Sequence, residues 1–68
     1  MPLIEIKEYT SKGEPIEVIA VNPHYIVSAR FDRLVTAQAT ENIYRLDYED
    51  TDIFTNKAGY DALMQQKR

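Results

Sequence analysis

The sequence predicts an α+β fold, a small antiparallel β-sheet of four to five strands with one C-terminal helix packed on it, on three observations. Apolar and polar residues alternate along several short stretches, the period of a half-buried strand. Gly, Pro, Asn and Asp fall between those stretches, where chain reversals need them. Near the C-terminus the period changes, and Tyr60, Leu63, Met64 and Lys67 fall on one helical face.

With 68 residues the chain can close only one hydrophobic core, so residues 1–68 form a single domain. Hydrophobic residues make up 44% and charged residues 28%. Both signs of charge are spread along the chain, unlike the apolar-poor, one-signed composition of disordered segments. Cores this small rarely leave more than ~3–5 kcal/mol of net stability. Cysteine is absent, so no disulfide can add to it, and no Cys/His cluster offers a structural zinc site. Self-association is the remaining common remedy, and a homodimer is expected.

Taken in order, Ile4 to Tyr9 alternates, with Ile4 and Ile6 on one face and Glu5, Lys7 and Tyr9 on the other. Thr10 to Glu14 supplies small polar residues and Gly13, a turn into a second strand from Ile16 to Val21 on which Ile16, Val18 and Ala20 share a face. Pro15 sits at that strand's start, where a missing donor is tolerated. Asn22-Pro23-His24 breaks the run. A third strand then spans Tyr25 to Phe31, with Tyr25, Val27, Ala29 and Phe31 on one side. Asp32 to Glu41 keeps neither period cleanly and is read as a long loop. Ile43 to Tyr48, the acidic turn Glu49-Asp50 and Thr51 to Phe54 read as another hairpin. Thr55 or Asn56 is the natural N-cap of the terminal helix. Gly59 inside its first turn costs about 1 kcal/mol relative to alanine, so the helix must dock on the sheet to persist.

Composition and spacing bear on function mainly by exclusion. Net charge −3 repels polyanions, so no nucleic acid is expected as a partner. The longest apolar run, within Val18 to Val21, is far below the ~18 residues a spanning helix needs, and no membrane insertion is expected. The N-terminal residues carry no signal-peptide pattern, and the lack of cysteine fits a reducing compartment; a cytoplasmic location is expected.

No catalytic constellation is legible, and the chain is read as no enzyme, with no cofactor and no metal. His24 is the single histidine and has no local catalytic partner. Asp47, Glu49, Asp50 and Asp52 are the densest acidic cluster, but a calcium loop opening at Asp47 would need glycine and glutamate where Asp52 and Ala58 stand. The five tyrosines are many for this length, and tyrosine suits interfaces because it combines area with a hydroxyl. Tyr25 and Tyr60 are assigned to the core and Tyr44 and Tyr48 to an exposed aromatic patch. Arg30, with Arg33, makes the only local basic spot, suited to a carboxylate or phosphate or to a cross-strand acid. Tyr44, Tyr48, Arg30 and His24 are therefore the candidate interaction residues. They suit self-association or a protein partner; the alternative is a small-ligand or metal-binding module using His24 and acids the fold brings near.

The run Val21-Asn22-Pro23-His24-Tyr25-Ile26-Val27-Ser28, with Ile53-Phe54-Thr55-Asn56 and the helix through Tyr60, Leu63 and Met64, resembles the small FlbD-like family of bacterial flagellar-operon proteins. The resemblance covers nearly the whole chain in layout. It implies a strand-rich domain ending in a helix, a bacterial origin and a link to motility without enzymatic activity. The chain departs from the family in its extended second strand, in the segment from Asp32 to Glu41, and in Asn56-Lys57, where an acidic residue is usual before the helix.

Overall fold

The computed structural model describes residues 3–67, and side chains over 3–66. Five strands, β1 (Ile4–Tyr9), β2 (Pro15–Val21), β3 (Ile26–Phe31), β4 (Ile43–Tyr48) and β5 (Thr51–Asn56), pair antiparallel in the order β2-β1-β5-β4-β3. Two helices accompany them, α1 (Arg33–Gln38) between β3 and β4, and α2 (Lys57–Lys67) after β5. The expected fold class is the observed one.

The two faces of the sheet are covered unequally. On one face Ile6, Val21, Ile26, Leu46 and Ile53 form the main core with Leu63 of α2, flanked by Ile4, Ile19, Ala29, Tyr48, Tyr60 and Met64. Leu63 is fully buried, and removing a leucine side chain from water contributes about 1.5–3 kcal/mol. The helix therefore persists by docking. Of the predicted stripe Tyr60, Leu63, Met64 and Lys67, the last lies outside the described side chains. On the opposite face Tyr9, Val35 and Ile43 make a smaller cluster with Ala39 and Phe54, capped by α1 at one corner.

The segment read as a long loop holds α1. The Asp32 carboxylate caps it by accepting from the Val35 N–H at 2.9 Å. Thr36 ties the helix to β4: its hydroxyl accepts from the Ile43 N–H at 2.9 Å. Val35 is buried while Leu34 faces solvent, so a single apolar anchor docks the helix. Six residues are too few to display a helical period, which is why the pattern was ambiguous.

Two further expectations change. The third strand does not alternate cleanly from Tyr25, because Pro23 to Tyr25 form a 3-10 turn and a bulge interrupts the β3–β4 register between Ile26 and Ser28. Ile26 is thereby buried, and Tyr25, assigned to the core, is 53% exposed. The fifth strand runs on to Asn56 rather than stopping at Phe54. The sheet stays open, with β2 and β3 as its edges.

Candidate functional site

The side of the molecule where β3, β4 and α2 meet carries a run of aromatic rings. Tyr60 of α2 stacks on Tyr44 of β4 with ring centroids 4.2 Å apart and planes at 18°. Tyr44 in turn meets Phe31 of β3 edge-on at 5.5 Å. The spacing follows from register: Phe31 and Tyr44 are cross-strand partners, so their side chains leave the same face. α2 packs on β1, β5, β4 and the 3-10 turn, and Phe31 at the far margin stays 47% exposed.

Tyr44 and Tyr48 were expected to form an exposed patch; both are half-buried. They sit four residues apart on one strand, an even separation, and so share the helix face. Tyr48 packs edge-on to Tyr25 at 6.1 Å, and its hydroxyl accepts from the Asn22 N–H at 3.1 Å. That hydroxyl thus holds the segment before the 3-10 turn, a structural role that spacing could not reveal.

Arg30 is exposed on the other face of β3, directly opposite Arg45 rather than a cross-strand acid. The acids lie one row away. Asp47 stands opposite both Ser28 and Asp52, accepts from the Ser28 hydroxyl at 2.5 Å, and lies 4.0 Å from Arg45, whose guanidinium grips Asp52 at 2.7 Å. The Ser28 hydrogen bond, then Asp52, and then the charges of Arg45 and Arg30 hold the Asp47 carboxyl below its usual range.

His24 is exposed in the 3-10 turn, where its backbone N–H donates to the Asn22 side chain at 3.0 Å. Among the described residues no group of three or more His, Cys, Asp or Glu side chains is placed to hold a metal ion. The structure does not bring His24 together with Arg30, Tyr44 or Tyr48 in any hydrogen bond or ring contact of the described residues. A shallow cleft of about 330 Å³ lies along α2, lined by Tyr60, Asp61, Met64 and Gln65. All four lining residues belong to that one helix, so it is a surface groove and not an enclosed site.

Sequence reasoning expected an edge strand or the face opposite the helix to be used in a dimer, and left open which strands form the sheet margin. Among the described residues the large apolar side chains exposed to solvent are Leu3, Ile16, Val18, Tyr25, Val27, Phe31 and Leu34. Ile16 and Val18 lie on the β2 edge, and Tyr25, Val27 and Phe31 lie on or beside the β3 edge. The signal was present in Val27 and Phe31, but it required knowing which strands are outermost. No helix among the described residues is long and apolar enough to cross a membrane. Compared with protein-family models, curated proteins and solved structures, the chain matches none.

Proposed function

We propose that this chain is a non-enzymatic interaction protein of the cytoplasm that works by binding another folded chain, in the first instance a second copy of itself. The observation that carries this reading is the β3 margin, an unpaired strand edge flanked by exposed Tyr25, Val27 and Phe31. Unpaired strand N–H and C=O groups beside apolar side chains are a template for another chain. The small core gives association a physical motive, since a domain of this size gains stability by burying surface against a partner.

Polar side chains support the same reading. The Tyr9 hydroxyl of β1 donates to Glu41, which precedes β4, and Asp47 with Ser28, Arg45 and Asp52 is engaged across β3, β4 and β5, in arrangements that brace the sheet. A role in bacterial motility, as the FlbD-like resemblance implies, is the cellular setting proposed for this binding.

Light scattering coupled to size exclusion, over a wide concentration range, tests the proposal. The expected result is a mass that rises from one chain toward two. A mass of one chain at every soluble concentration would remove self-association.

A further inference from the structure

The two edges of the sheet are not equivalent. β2 begins at Pro15, follows Glu14 and carries Glu17 with no basic residue, so two β2 edges would bring acids together. β3 carries neither proline nor acid between Ile26 and Phe31, and its single charge is Arg30. Proline and like charge are devices that keep strand edges from pairing. β3 lacks both.

Symmetry narrows the register. When two copies pair antiparallel within one sheet about a two-fold axis, the axis passes between a residue and its own copy. Centring on Arg30 opposes the two guanidiniums, and centring on Ser28 sets Arg30 against Ile26, whose side chain is buried on the other copy's helix face. Centring on Ala29 sets Arg30 against Ser28 and Phe31 against Val27. The first pairing brings Arg30 beside the Ser28 hydroxyl and the Asp47 carboxylate that accepts from it. The second covers two apolar side chains that are 47% and 73% exposed.

We propose that two copies of this chain pair antiparallel along β3 about a two-fold axis at Ala29, joining the two five-stranded sheets into one, with Arg30 of each copy directed at Ser28 and Asp47 of the other. This deepens, and rests on, the self-association reading above. Charge complementarity argues for a second copy as occupant: within its own sheet Arg30 stands opposite Arg45 and acts on Asp47 without an ion pair among the described residues, and across the axis it meets a second Asp47. Both α2 helices then lie on the same face of the joined sheet. Six-residue strands bury less than the ~1,200 Å² at which stable interfaces begin, so the dimer is weak and concentration-dependent.

The chain has no cysteine, which makes single-cysteine crosslinking unambiguous. Ala29→Cys is oxidised mildly and examined by non-reducing electrophoresis, alongside Val18→Cys on the β2 edge. Mixed Ser28→Cys and Arg30→Cys chains, altered only at exposed positions, serve as a second probe that does not depend on Ala29. The unsubstituted chain is weighed by light scattering in parallel. The expected result is a covalent dimer for Ala29→Cys and a mixed dimer for the pair, with little from Val18→Cys. A dimer by light scattering that crosslinks only through Val18→Cys would overturn the β3 pairing and leave self-association standing. A monomer that crosslinks nowhere would remove both.

Discussion

A Cβ placed on Gly59 would fall 2.2 Å from the Thr55 hydroxyl oxygen and 3.1 Å from the Ile6 Cβ. The first turn of α2 therefore rests on β5 and β1 with no room for a methyl group. Thr55 is fully buried, and its hydroxyl donates to the Lys7 carbonyl at 2.8 Å, so it cannot move aside without breaking that bond. Glycine inside a helix costs about 1 kcal/mol in propensity; here the loss is offset by close docking.

Gly59→Ala is accordingly expected to destabilise the fold by about 1–3 kcal/mol, the range for overpacking, despite alanine's better helix propensity. Urea denaturation should show a lower midpoint with an unchanged slope. Thr55→Ala added to that variant should recover part of the loss, because it removes the atom the new methyl strikes.

Asn56 links this helix start to the smaller core. Its Oδ1 accepts from the Gly59 N–H at 2.9 Å, and its Nδ2 donates to the Tyr9 hydroxyl and to Glu41, each at 3.3 Å. Asn56→Ala removes both the N-cap and the bridge, and a loss of about 1–2 kcal/mol is expected in thermal or urea unfolding. Asn56→Asp keeps the cap acceptor but places a charge against Glu41. It should be intermediate near neutral pH and closer to the parent where both carboxyls are protonated.

Glu49, at the turn between β4 and β5, holds φ at 56°, in the left-handed region that a residue with a Cβ avoids. Its side chain is exposed. Glu49→Asn or Glu49→Gly is expected to raise stability by about 0.5–1 kcal/mol, since both tolerate that conformation. A melting temperature that falls in both variants would show that the glutamate side chain contributes more than its backbone strain costs.

How much of this was legible in the sequence depends on chain separation. Ile4, Ile6 and Tyr9 announced their faces by alternation alone, and Glu49-Asp50 announced its turn, because both signals are local. The Gly59 approach to Ile6, and the Tyr48 hydroxyl on the Asn22 N–H, join residues distant in sequence, and neither leaves a periodic trace. Tyr25 was misplaced for a related reason: a bulge shifts the alternation by one residue, and every side chain before it changes sides. Arg30 was expected to find a cross-strand acid, yet register set Arg45 there and moved Asp47 to the next row.

Charge reversal probes that row. Arg30→Glu places an acid where the proposed pairing needs a base beside Asp47, and roughly tenfold weaker dimerisation is expected, in keeping with the cost of juxtaposed like charges at an interface. Dimerisation of the parent chain should weaken as salt is added, because exposed charges are screened beyond about 10 Å at moderate ionic strength. Equal association of parent and variant at every salt concentration would show that Arg30 takes no part.

Tyr9 supplies a pH dependence at the alkaline end. It is buried in the smaller core and donates its hydroxyl proton to Glu41. Burial, then the hydrogen bond to Glu41 and its charge, raise the Tyr9 pKa above the usual 10.0. Above that value the unfolded chain releases the proton while the folded chain retains it, so the unfolded state binds fewer protons and stability falls as pH rises. Tyr9's contribution is fully present below pH 10.0 and is lost as pH climbs through the folded value. Tyr9→Phe removes the titrating group along with its hydrogen bond, so it should be less stable than the parent at neutral pH and show a shallower decline above pH 10.0. Urea midpoints of the two chains across the alkaline range, with tyrosinate absorbance followed in parallel, measure both effects; identical alkaline slopes would mean that Tyr9 titrates alike in the folded and unfolded chains.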